Sequence, residues 1–129
     1  MTYCLDTSFL VDFLRGDPAA VTRARQLEER QDRRYVPAPA AYELLEGALV
    51  RGERHLSRAV ALLDAMDILP TDLQVASDAA RIGFEGRRKG YTIIGIDILI
   101  AASARVNHLV LVTRDKAFSH VRGLAVEPY

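Results

Sequence analysis

The sequence contains no tryptophan and a single cysteine, Cys4, so one chain can build neither a disulfide framework nor a thiolate metal site. It has no excess charge either: 17 basic residues stand against 17 acidic ones. No global positive field announces a nucleic-acid partner, although a local basic patch suffices to bind phosphate. No run approaches the ~18 consecutive apolar residues of a membrane span. Asp6 arrives too early, and without a basic lead-in, for a secretory leader. These absences lead to the expectation of a cytoplasmic protein with no membrane partner. Cys4 lies in an apolar run and reads as ordinary core rather than as a catalytic thiol.

Half of the 129 residues are hydrophobic, enough for one core, and no repeat or low-complexity tract divides the chain. A single domain over residues 1–129 is expected. Short apolar runs alternate with longer helical patterns, the signature of an α/β domain with a mainly parallel sheet. Strands are expected at Tyr3-Cys4-Leu5, Arg34-Tyr35-Val36, Ile68-Leu69-Pro70, Leu109-Val110-Leu111-Val112 and Leu124-Ala125-Val126. Helical spacing marks Phe9 to Leu14, Ala19 to Arg30, Ala40 to Val50 after an interruption at Pro37 and Pro39, and a helix faced by Leu56, Val60, Leu63 and Met66. Thr71 or Asp72 caps a long helix to about Lys89. Asp97 to Val106 is the most apolar helix, and a short one covers Asp115 to His120.

Against this frame, some carboxylates occur where the local sequence calls for apolar residues. Asp6 and Asp115 each follow a buried strand, and ligands of open α/β sheets bind beyond the carboxyl ends of strands. Asp97 is the only charge in Tyr91 to Ala104. An ionised carboxylate buried there needs a cation, hydrogen-bond donors or a proton. Helix capping would explain it too, but serine or threonine caps without that penalty. Glu43 opens a helix flanked by apolar residues and gains its weight from the other three. Glu46 shares its face, as further support for the site or as a solvated side chain.

Four converging acids repel one another, and a divalent cation resolves the conflict. Carboxylates without histidine or cysteine favour Mg²⁺ or Mn²⁺ over zinc. His55, His108 and His120 show no paired spacing and read as surface or structural. An all-carboxylate metal site suits phosphodiester hydrolysis with one ion or two. The hydroxyls of Thr113, Thr7 and Ser8 stand ready to orient the acids, although Thr7 and Ser8 could equally cap the first helix.

Leu5-Asp-Thr-Ser-Phe-Leu-Val-Asp-Phe-Leu14, Tyr42-Glu-Leu-Leu-Glu-Gly-Ala48, Asp97-Ile-Leu-Ile-Ala-Ala-Ser-Ala104 and Thr113-Arg-Asp-Lys-Ala-Phe118 resemble, in order and across essentially the whole chain, the successive motifs of PIN domains. More narrowly, they resemble the VapC toxins of prokaryotic toxin–antitoxin pairs. The resemblance implies a three-layer α/β/α sandwich around a five-stranded sheet, and a Mg²⁺- or Mn²⁺-dependent endoribonuclease. It places the catalytic and metal-binding acids at Asp6, Glu43, Asp97 and Asp115, with a supporting hydroxyl at Thr113 or Thr7. It also implies a homodimer and a cognate DNA-binding antitoxin that blocks the active site. Two positions depart from the pattern: Pro39, often a hydroxyl residue in such proteins, and Ala117, sometimes a further acid. They bear on metal coordination, not on the reaction class.

Arg114 and Lys116 flank Asp115, Arg15 follows the first helix, and Arg87-Arg88-Lys89 precedes the loop to Asp97. Arg114, Lys116, Arg15 and Arg87 are the candidate contacts for RNA phosphates; each could also be ordinary solvated surface. Single-stranded or loop RNA is the expected target. Arg51, Arg54 and Arg58 point instead to an interface. A phosphotransfer receiver lacks its middle-strand aspartate and late lysine here, and a haloacid-dehalogenase phosphatase would need a second acid at Ser8. A catalytically inactive PIN-like scaffold and a DNA-directed nuclease of the same fold remain as alternatives.

Overall fold

The computed structural model describes residues 1–129. The chain runs β1 (Thr2–Leu5), α1 (Thr7–Leu14), α2 (Pro18–Glu29), β2 (Arg33–Pro37), α3 (Ala38–Arg51), α4 (Glu53–Asp64), β3 (Asp67–Leu69), α5 (Leu73–Lys89), α6 (Gly95–Val106), β4 (Val110–Val112), a 3₁₀ turn (Lys116–His120) and β5 (Val126–Glu127). All strand pairings are parallel. The sheet order is β3-β2-β1-β4-β5, with helices on both faces in a three-layer α/β/α sandwich.

That order positions the site. From β1 the chain steps outward to β2 and β3 on one side, and later returns to β4 and β5 on the other. The crevice between the carboxyl ends of β1 and β4 is therefore the topological switch point, where α/β sheets bind ligands. Backbone hydrogen bonds from the Asp6 N–H to the Val112 carbonyl (3.1 Å) and from the Thr113 N–H to the Glu127 carbonyl (3.2 Å) extend the ladder to the lip of that crevice.

Central strands of a covered parallel sheet are apolar on both faces. Tyr3, Cys4 and Leu5, with Leu111 and Val112, are accordingly buried. Burial pushes the Cys4 thiol strongly up, with the negative charge of Asp6 adding to it, so Cys4 is inert core. Ile100 through Ala104 of α6 are also buried. Four of these five are small, which lets the helix backbone approach the sheet closely and holds the first turn of α6, with Asp97, in a fixed place.

Several expected boundaries move. The helix expected from Ala40 begins at Ala38 and contains Pro39, while Pro37 ends β2 and caps the helix. Proline is tolerated in a first turn because its missing N–H would find no intrahelical partner there. The helix expected from Asp97 begins at Gly95. On α4 the buried residue is Ala59, whereas Val60 is 41% exposed and Met66 lies beyond the helix. The last strand is Val126–Glu127 rather than Leu124 to Val126, because pairing to β4 starts only at Val126.

Arg105 ties α6 to α5 and to the segment before β5. Its Nε and Nη2 each donate to Asp78 at 2.9 Å, and its Nη1 donates to the Arg122 carbonyl at 2.6 Å. Bidentate geometry gives the pair more than a surface ion pair supplies. Arg105→Ala is expected to lower stability by about 1–2 kcal/mol in urea unfolding. Asp78→Ala should cost a similar amount and the double variant little more than either single. Losses that simply add would show that the pair is not their cause.

Candidate active site

The β1–α1 junction places Asp6 at the amino end of α1 with extended backbone, yet its side chain makes no capping bond. It is 3% exposed, and its Oδ2 instead accepts from Ser8 Oγ (2.8 Å) and Thr113 Oγ1 (2.6 Å). Thr113 follows β4 directly and is buried as well; its hydroxyl also accepts from the Asp115 N–H at 3.0 Å. One hydroxyl thus joins the two strand ends. Asp115 is exposed, and its Oδ1 accepts from the Ala117 N–H at 2.9 Å, shaping the turn that follows.

Glu43 lies on the first turns of α3, and its Oε1 accepts from Thr7 Oγ1 at 2.6 Å. The Thr7 and Ser8 hydroxyls therefore engage Glu43 and Asp6 rather than the orphan amides of α1, which decides between the two roles open to them. Glu46 is exposed and accepts from the Tyr42 hydroxyl at 2.7 Å, so it belongs to the solvated face. That bond and the nearby carboxylates push the Tyr42 hydroxyl's pKa up.

Asp97 lies in the first turn of α6, whose cap is Ile94, so it is not the capping residue. Its carboxyl is pushed up from the ordinary 3.8 to about 6, first by burial and then by the negative charges of Asp6, Glu43 and Asp115. The four acids therefore share one electrostatic field. A field of this kind favours either a proton on Asp97 or a cation among the acids.

No three His, Cys, Asp or Glu side chains are placed so that they could jointly ligate an ion. The donors present fit a hard ion such as Mg²⁺, which keeps several waters and takes only one or two carboxylates directly. Oxygen donors and the penalty on ionised Asp97 both agree with such an occupant.

Of the basic candidates, Arg15 is exposed and lines a groove of about 340 Å³ together with Glu43, Arg51, His55 and Arg58. Arg58 donates to the Leu14 carbonyl at 2.6 Å. Lys116 is exposed and opens the 3₁₀ turn beside Asp115. Arg114 is not a free surface cation: its Nη1 pairs with Asp12 Oδ2 at 2.9 Å, although its side chain is 57% exposed. Arg87 lies in the last turn of α5, where it complements the helix dipole, and no ion pair joins it to the acids. All three histidines are exposed; His120 stacks on Tyr91 with ring centroids 5.4 Å apart.

Asp12 and Tyr129 are the residues that sequence reasoning missed. Asp12 carried the same signal as Asp97, a charge inside the apolar run Phe9 to Leu14. Tyr129 gave no local signal, since its hydroxyl bonds Asp12 from the far end of the chain.

A switch-point crevice lined with carboxylates on an α/β/α sandwich defines a class, and comparison with known proteins agrees: the chain belongs to the PIN domain family, whose model matches residues 3–124. Within it, the chain is similar to the tRNA(fMet)-specific endonuclease VapC of Shigella flexneri, 27% identical over 132 aligned positions covering 100% of this chain and 98% of that protein. Among solved structures it is similar to VapBC2 from Rickettsia felis bound to a DNA fragment from their promoter. There the TM-score is 0.89 and the identity 21%, over 100% of this chain and 99% of the other. It is also similar to FitAcB from Neisseria gonorrhoeae, with a TM-score of 0.79 and 27% identity over 98% and 96% of the two chains. No helix is long and apolar enough to cross a membrane.

Proposed function

We propose that the chain, as one domain over residues 1–129, is a divalent-metal-dependent endoribonuclease of the VapC kind, the toxin of a toxin–antitoxin pair acting in the cytoplasm. The observation that carries the reading is the switch-point geometry in which the Thr113 hydroxyl joins Asp6 to Asp115, beside an Asp97 carboxyl raised by burial and then by the charges of Asp6, Glu43 and Asp115. Family membership supports it.

Asp6 and Asp97, supported by Glu43 and Asp115, would hold a Mg²⁺ or Mn²⁺ ion. When bound, such an ion supplies an activated water and charge stabilisation at the scissile phosphate. The chain's own residues prepare that chemistry. Thr113 and Ser8 fix the Asp6 carboxylate so that one oxygen is engaged and the other is left for the site. Thr7 fixes Glu43, which can hold a proton from a water in the crevice. In this reading Arg114 and Lys116, the chain neighbours of Asp115, Arg15, which lines a groove with Glu43, and Arg87 contact RNA phosphates. The partners in this reading are a structured or single-stranded RNA, a second copy of the chain, and a cognate antitoxin that binds DNA.

The test incubates the purified chain, free of any antitoxin, with tRNA(fMet) and with a single-stranded RNA oligonucleotide, in Mg²⁺, Mn²⁺ or EDTA. Cleavage of either RNA that requires the metal is the expected result. Failure of both, together with an unchanged melting temperature on adding Mn²⁺, would leave a binding module without catalysis. Cleavage confined to DNA would redirect the reading to a deoxyribonuclease.

A further inference from the structure

Helix α1 carries a second buried acid that the carboxylate cluster does not use. Asp12 is 4% exposed, and its Oδ2 accepts from the Tyr129 hydroxyl at 2.7 Å while pairing with Arg114 Nη1 at 2.9 Å. The Tyr129 ring is set by an edge-on contact with Phe9, with centroids 5.0 Å apart and planes at 88°. Arg114 stands between Thr113, which bonds Asp6, and Asp115, with one guanidinium nitrogen anchored to α1. A guanidinium has five N–H donors. The anchored nitrogen leaves others facing solvent from a side chain that remains 57% exposed.

We infer that Asp12 and Tyr129 are positioning residues that hold Arg114 as a fixed cation at the rim of the carboxylate site, where it meets a phosphate of the RNA. The inference rests on the nuclease reading above. An unanchored arginine loses rotamer freedom when it grips a phosphate, whereas this one has lost much of it already. A buried carboxylate without a partner would be costly, so Asp12 keeps Arg114 in place even when no substrate is bound. The contact would be made by bound substrate and transition state alike. Its loss should therefore appear in KM and leave kcat nearly unchanged.

The experiment compares cleavage kinetics on tRNA(fMet) and on the single-stranded oligonucleotide for wild type, Asp12→Asn, Arg114→Ala, Tyr129→Phe and the Asp12→Asn/Arg114→Ala double variant, with a melting curve for each. Asp12→Asn keeps an acceptor for Tyr129 but loses the ion pair. It should raise KM about 3–10-fold, the scale of immobilising one long side chain. Arg114→Ala should raise it at least as much, and the double variant no further than Arg114→Ala alone, because Asp12 acts only through Arg114. Tyr129→Phe should raise KM in the same direction and carries the test should Asp12→Asn fail to fold. Effects that multiply in the double variant would overturn the inference, as would a fall in kcat and melting temperature with KM unchanged, since both mark a merely structural role. A wild type that cleaves while Asp12→Asn and Tyr129→Phe match its KM overturns this inference alone. A wild type that cleaves neither RNA overturns the nuclease reading with it.

Discussion

Asp97→Asn is expected to abolish metal-dependent cleavage, by about 10³-fold or more, while leaving the metal-free protein more stable than wild type. The loss is on the scale seen when a charge-stabilising group leaves an active site. The gain has a separate cause. Ionised Asp97 is disfavoured by burial and by Asp6, Glu43 and Asp115, and asparagine of the same shape carries no charge for them to oppose. The full shift would imply more, but solvent screening at a half-buried site reduces the expected gain to on the order of 1 kcal/mol. That corresponds to about 3–5 °C in melting temperature for a chain of this size.

The pH dependence follows from the same carboxyl. In the folded chain it titrates at about 6 against an ordinary 3.8, so the folded state binds the proton more tightly. The resulting stabilisation is present in full below the unfolded value and is lost as pH rises through about 6. The advantage of Asp97→Asn over metal-free wild type should therefore be small near pH 4, grow through the interval, and level off above 6. Metal binding should weaken as pH falls through the same interval, because ion and proton compete for one carboxylate. Melting curves in EDTA from pH 4 to pH 8 test the first half, and a Mn²⁺ titration at the two extremes tests the second. A metal-free mutant that melts below wild type at pH 8 would show that the four acids do not act on one another.

How much of this was legible in the sequence depended on the range of the interaction that reveals each residue. Asp97 stood out because it is the one charge in an apolar run whose centre, Ile100 to Ala104, is buried against the sheet, which leaves a charge no ordinary role. Asp6 and Asp115 were legible from strand-end position, since parallel strands direct their following residues to one edge. Pro39 misled because the rule that proline interrupts helices fails in the first turn, where no donor is needed. Asp12 carried a local signal but sat on a helix that also has solvent on one side, so its burial could not be read before Tyr129 was placed. That contact joins residues 117 positions apart, beyond the reach of any pattern in a window. Arg114 reads from the sequence as a free surface cation for the same reason, and only its partner shows that it is fixed.

Thr113→Val should reduce cleavage by about 10–100-fold, the usual effect of removing a group that orients a metal-ligating side chain. Valine keeps the shape and the burial but removes the hydroxyl that donates to Asp6 Oδ2 and accepts from the Asp115 N–H. The buried Asp6 would retain Ser8 as a donor, so the stability loss should be about 1–3 kcal/mol rather than unfolding. Thr113→Ser restores the hydroxyl and should recover most of the activity, though not the packing of the lost methyl group. Urea unfolding and single-turnover cleavage at saturating Mn²⁺ separate the two effects. If activity fell only because metal was bound more weakly, high Mn²⁺ would restore it. If Thr113 instead fixes the orientation of the Asp6 carboxylate within the site, the defect should persist at every concentration. A Thr113→Val chain as active as wild type would show that Asp6 needs no orienting hydroxyl beyond Ser8.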